Sequence, residues 1–185
     1  HSGAPSVEDY EKAARELIGR ANNILQQVNL KSLQVVKVPR EAVAVPENNV
    51  HKLIPAYEKA LSDLGGKHEN IVVLDADLMI DCGLLSFRNN YPERYVECGI
   101  AEQDMISQAG ALALKGKLPI SHSFACFLTT RANEQLFNNA SEKTKCIYVG
   151  SLAGLLPSGP GHSHQMVRDI SALGGIPGLI MLEPS

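Results

Sequence analysis

The stretch Glu97-Cys98-Gly99-Ile100-Ala101-Glu102-Gln103-Asp104-Met105 sets a carboxylate, Glu102, in the first turn of a helix whose continuing face is Met105, Ile106, Ala109, Ala113 and Gly116. Small and apolar residues at that spacing mark a helix that is buried on at least one side and can approach another closely. Burial would favour the neutral acid at Glu102, whereas the helix N-terminus favours the carboxylate. A carboxylate held in that balance can exchange a proton with a buried heterocycle; it can equally do no more than cap its helix. His162 and His164 stand two apart in a Gly/Pro-rich loop. No third ligand at readable spacing accompanies them, so no metal site is expected there. Arg131 and Glu134 read as an ion pair on one helix surface or as a subunit contact.

The elements that must position these residues follow from periodicity. Ser6, with Asp9 three positions on, opens a helix predicted over about Val7 to Val28, in which Tyr10, Ala14, Leu17, Ile18, Ala21, Leu25 and Val28 recur at helical spacing. Asn29 to Asn49, punctuated by Pro39 and Pro46, reads as a linker. From Val50 the texture alternates. A helix is predicted to Leu64, stopped by Gly65-Gly66, followed by a strand at Ile71 to Leu74. Further strands are predicted at Tyr95 to Glu97, Pro119 to Ser123, Cys146 to Val149 and Leu179 to Leu182, mostly with helices between them. This pattern gives an α/β fold of three layers, a mostly parallel sheet with helices on both faces, over 50–185, preceded by the helix and linker of 1–49. Ligands of such sheets bind beyond the carboxyl ends of the strands, which directs attention to the loops Asp75 to Gly83, Cys98 to Glu102, Ser123 to Arg131 and Gly150 to His164. Neither GxGxxG nor GxxxxGK[ST] occurs.

The composition narrows the function classes. With 185 residues, 20.0 kDa, 44% hydrophobic residues and 20% charged ones, the chain is long enough to bury a core. A net charge of -3 with no basic stripe argues against nucleic acid. No apolar run or leader pattern suggests a membrane partner, and a cytoplasmic location is expected. Cys82, Cys98, Cys126 and Cys146 form no CxxC pair and are expected to be reduced and mostly buried. Residues 99–185 hold only 6 of the 17 Lys+Arg and 6 of the 20 Asp+Glu, so that half is expected to be covered by another subunit or domain. The first residue, His1, suggests a piece of a larger polypeptide.

Gly99-Ile100-Ala101-Glu102-Gln103, followed by Pro119, Phe124 to Phe127, Arg131, Glu134-Gln135, Gly159-Pro160, His164-Gln165 and Ile176-Pro177-Gly178, resembles the pyrimidine-binding domain of transketolase and its thiamine diphosphate relatives. The resemblance runs from about Val50 to Ser185, and GIAEQ is its most specific part. It implies that Glu102 hydrogen-bonds the ring nitrogen of the cofactor's aminopyrimidine and shares the proton that readies the cofactor to move a two-carbon ketol unit from a ketose to an aldose. It further implies that Phe124 and Phe127 form the apolar wall for the aminopyrimidine, although both could be ordinary core. Asp77 would lie on the thiazolium side and Ile100 beside the cofactor, while His164 would act as proton relay or substrate hydrogen-bonder.

Departures from the family pattern concern the substrate. Ser158 replaces the Asp expected to read the donor's 2-hydroxyl, with His162 in the same loop, and Lys52 stands near the place of a phosphate-binding Arg. Gly150-Ser151-Leu152 lacks an expected His, and Asp81 falls where a phosphate-binding Ser is usual, which disfavours a phosphorylated sugar. The Gly-Asp-Gly segment that holds Mg²⁺ and the diphosphate in these enzymes does not occur in this sequence. The resemblance therefore implies a diphosphate-binding domain on the same or a partner chain, a homodimer, sugar substrates, and no activity from this chain alone. Alternatives are a 1-deoxyxylulose phosphate synthase-like or 2-oxoacid dehydrogenase β-type domain, or a non-catalytic dimerisation module.

Overall fold

The computed structural model describes residues 6–34, 53–155 and 161–184. The chain divides into two units, His1–Val50 and His51–Ser185, each described by itself.

In the first unit, α1 spans Val7–Gln27. Ser6 caps it: its Oγ accepts from the Asp9 N–H at 3.1 Å and donates to the Asp9 carboxylate at 2.7 Å. Tyr10, Leu17, Ile24 and Val28 are exposed along it. The Leu33 N–H returns to Asn22 Oδ1 at 2.7 Å. Of the expected linker, only residues 29–34 fall within the described part.

The second unit is an α/β sandwich of three layers. Its elements are α2 (Leu53–Lys67), β1 (Ile71–Asp75), α3 (Leu85–Asn90), β2 (Tyr95–Glu97), α4 (Glu102–Leu114), β3 (Leu118–Phe124), α5 (Ala125–Arg131), α6 (Asn133–Ser141), β4 (Ile147–Ser151) and α7 (Asp169–Leu173). Single 3₁₀ turns lie at Pro92–Arg94 and His162–His164. The four strands are all parallel in the order β2-β1-β3-β4. β1 is apolar at every position but its last and buried throughout, as a central parallel strand covered on both faces must be. Val72 and Leu74 point into a core shared with Met105, Ile106 and Ala109 of α4, Leu128 of α5 and Leu136 of α6. Ile71 and Val73 point the other way, against Leu61 of α2, Phe87 of α3 and Cys82.

Three expectations need correction. The glycines do not stop α2, which continues through Gly65 and Gly66 to Lys67. Gly65 is there for a close approach: a Cβ would lie 2.6 Å from the Tyr91 ring, and the Gly65 carbonyl accepts from Arg94 at 2.9 Å. Ser123 to Arg131 is not a loop but the end of β3 running directly into α5. Leu179 to Leu182 forms no strand; Ile180 and Leu182 are 83% and 87% exposed, and an apolar run without a neighbouring strand has no ladder to join.

Candidate functional site

Glu102 is the first residue of α4, and its side chain is only 4% exposed. Its oxygens do not serve the helix. Arg131 Nη1 donates to Oε1 at 2.9 Å and to Oε2 at 3.0 Å, and Ser123 Oγ donates to Oε1 at 3.3 Å. A buried carboxylate needs such partners, because its desolvation is otherwise uncompensated. The expected Arg131–Glu134 pair is thereby replaced: at the last position of α5, Arg131 turns back over its own helix, its guanidinium carbon 3.9 Å from the Phe127 ring centre. Phe127 and Arg131 are four apart, so they share one helix face.

The rings gather beside this pair. Phe124, buried at the end of β3, lies 6.1 Å from Phe127, and His164 stands edge-on to both, at 6.1 Å from Phe124 and 5.1 Å from Phe127. Ser163 Oγ is 3.0 Å from His164 Nδ1, and among the described residues Nε2 has no hydrogen-bond partner. Glu102, Phe124, Phe127 and His164, named from sequence, thus come together around Arg131. His162 is exposed in the same 3₁₀ turn as His164. Lys52 and Ser158 lie outside the described residues.

Asp77 and Ile100 occupy the turns after β1 and β2. Both turns need left-handed backbone, with φ +60° at Asp77 and +69° at Gly99. These turns aim the Asp77 and Gly99 N–H groups at Glu97 Oε1, at 3.0 and 2.8 Å. The Asp77 side chain is exposed, and so is Ile100, at 72%, two positions before the buried Glu102.

A second acidic group sits beneath these turns. Tyr95 Oη donates to Asp75 Oδ2 at 2.7 Å and reaches Glu97 Oε2 at 3.2 Å, while the Leu78 N–H donates to Asp75. Burial pushes the Asp75 carboxyl up to about 6, against the Tyr95 hydrogen bond and with the Glu97 charge. Burial likewise pushes the Cys98 thiol up to about 11 and the His122 imidazole down to about 4. Sequence reasoning missed this group and the Ser123 and Arg131 contacts to Glu102. The spacing of Phe127 and Arg131 was the available signal for Arg131; nothing local marks Tyr95 as a partner of Asp75. Among the described residues no three His, Cys, Asp or Glu side chains converge as a metal site, and no helix is long and apolar enough to cross a membrane.

Known proteins are similar to this chain in sequence and fold. The family model described as the transketolase pyrimidine binding domain matches residues 52–185. A transketolase C-terminal section of Methanocaldococcus jannaschii is 39% identical over 130 residues, 70% of this chain and 41% of that protein. A 6-deoxy-6-sulfo-D-fructose transketolase subunit of a Clostridium species is 35% identical over 135 residues, 72% of this chain and 42% of that protein. Among solved structures, a split gene transketolase described as an inactive β4 tetramer superposes with a TM-score of 0.56 at 36% identity, over 66% of this chain and 39% of that one. The chain belongs to the transketolase pyrimidine-binding domain family. It spans about two fifths of the length of these relatives.

Proposed function

We propose that this chain contributes the pyrimidine half of a thiamine diphosphate site in a transketolase-type enzyme that moves a two-carbon ketol unit from a ketose to an aldose. The observation that carries the reading is Glu102: a buried carboxylate at a helix start, paired with Arg131, whose guanidinium lies over the Phe127 ring that His164 meets edge-on. This donor set suits an aminopyrimidine, a flat heterocycle that needs one carboxylate at a ring nitrogen and aromatic surface at its faces. When bound, the cofactor supplies the electron sink that lets the bond beside the ketose carbonyl break.

On this reading Glu102 holds and exchanges the proton at the ring nitrogen, a task an amide cannot perform. Phe127, half-buried, offers ring surface, and Phe124 backs it. Ile100 covers the cofactor from the adjacent turn, and the Asp77 carboxylate lies on the thiazolium side. His164 Nε2 hydrogen-bonds substrate or relays a proton, with His162, Ser158 and Lys52 as further substrate contacts. Mg²⁺ and the diphosphate would be held by a second domain, on the same or a partner chain, in a homodimeric assembly; relatives described as a C-terminal section, a subunit and a split gene transketolase support this division. The exposed Asp81 disfavours a phosphate near that turn, so neutral ketoses belong in the donor panel beside phosphorylated ones.

The test is exchange of the cofactor's thiazolium C2 proton in the assembly of this chain with its diphosphate-binding domain. Glu102→Gln is expected to slow exchange by about 10²-fold or more. An unchanged rate would overturn the reading.

A further inference from the structure

We infer that Arg131 is the positioning residue of this site, and that among the described residues it leaves one acceptor position, on Glu102 Oε2, open to meet a ring N–H; the inference rests on the pyrimidine-binding reading above. A carboxylate has about four acceptor positions, two on each oxygen. Arg131 Nη1 bridges both oxygens, at 2.9 and 3.0 Å, and Ser123 takes a second position on Oε1 at 3.3 Å. Oε1 is then saturated, and one acceptor position remains on Oε2. With a guanidinium across both oxygens, that remaining position on Oε2 is where a ring N–H would meet Glu102 and share its proton.

The same guanidinium covers Phe127 at 3.9 Å, one turn back in α5. Arg131 therefore ties the carboxylate on α4 to the ring on α5, fixing the distance between the hydrogen-bonding point and the aromatic surface. Its own side chain is 43% exposed, so it reaches Glu102 from the solvent side while its partner stays buried. Lys would keep the charge but lose the planar group that lies over Phe127 while its Nη1 holds the carboxylate.

The experiment compares equilibrium binding of thiamine diphosphate with that of its analogue bearing carbon in place of the ring nitrogen opposite the amino group, using the cofactor-free assembly of this chain with its diphosphate-binding domain. Wild type is expected to prefer the natural cofactor. Arg131→Met is expected to cut that preference about tenfold, the scale of one charge-assisted hydrogen bond. Arg131→Lys should restore part of it, and Ser123→Ala should leave it intact, because the Oε2 position is untouched. Thermal unfolding of each variant shows that it is folded at the assay temperature. Equal weakening of both ligands in Arg131→Met would mean that Arg131 only supports the fold, and would overturn the inference. A wild-type assembly without any preference would instead sink the pyrimidine-binding reading itself, and this inference with it.

Discussion

The Tyr57 hydroxyl on α2 lies 2.8 Å from Nε2 of His122 on β3, and His122 Nδ1 lies 3.2 Å from the Leu74 carbonyl. A carbonyl can only accept, so Nδ1 carries the proton and Nε2 accepts from Tyr57. One neutral tautomer thus links a helix, the central strand β1 and its neighbour β3. Burial holds His122 down at about 4 against 6.5 for a free imidazole. The unfolded chain therefore binds the proton more readily. The stability that His122 contributes is complete above pH 6.5 and is lost as pH falls towards 4. His122→Gln, which can donate and accept in the same places, should flatten this acid loss in urea unfolding curves measured from pH 7 to 4.

Asp75 works in the opposite sense. Its carboxyl is pushed up to about 6 from 3.8, so the folded state holds the proton more tightly, and stability from this group grows as pH falls from 6 to 4. The two contributions oppose one another, each on the order of 3 kcal/mol across its window. Asp75→Asn should therefore unmask the loss due to His122, making the variant more acid-sensitive than wild type between pH 6 and 4 while stabilising it at pH 7 to 8. A parallel pH profile for the two proteins would contradict this.

Gly110 on α4 and Asn139 on α6 are complementary. A Cβ at 110 would clash with Asn139 Oδ1, and Asn139 Nδ2 already donates to the Ile106 carbonyl at 2.8 Å and to Tyr148 Oη at 3.0 Å. Gly110→Ala is expected to cost about 1–3 kcal/mol by overpacking. In the background of Asn139→Ala the same change should cost much less, a non-additivity measurable in a double-mutant cycle.

The ion pair of the site should break asymmetrically. Arg131→Met strands a buried carboxylate and is expected to destabilise by about 1–3 kcal/mol, whereas Glu102→Gln leaves a half-exposed guanidinium that water can solvate and should cost less than about 1 kcal/mol. Thermal midpoints of the two variants at one pH decide the order.

The thiols should be slow. Burial raises Cys126 and brings Cys82 up to about 12 and Cys98 to about 11, with nearby carboxylates adding to the last two. A thiolate is the reactive form, so these three should stay unmodified by a maleimide at pH 7 and label fully once the chain is unfolded, as peptide mass mapping would show.

The sequence made the sheet legible because parallel strands buried on both faces read as short apolar runs: β1, β2 and β3 fall where Ile71, Tyr95 and Pro119 suggested, and α4 begins at Glu102 as the GIAEQ segment implied. Gly65 misled because glycine serves two ends; here the Tyr91 ring, not a helix stop, requires it. Leu179 to Leu182 has strand composition without a partner. Within the site, Phe124 and Phe127 were readable as a pair three positions apart, but the approach of His164 to both rings was not, and the grip of Arg131 on Glu102 spans 29 positions and competes with a local Glu134 that spacing alone favours. Long-range pairs of this kind, like Tyr95 with Asp75, are set by which elements the sheet order brings together.

That order also sets when the site can exist. β2 and β3 lie on opposite sides of β1, so α4 is the crossover between them, and Glu102 opens the segment that Ser123 closes. Until β3 has docked beside β1, the carboxylate has neither its serine nor, through α5, its arginine. A nascent or truncated chain that stops before β3 carries the whole GIAEQ helix and none of the partners of Glu102, because the grip on the carboxylate is a product of the pairing across β1 and not of the motif itself.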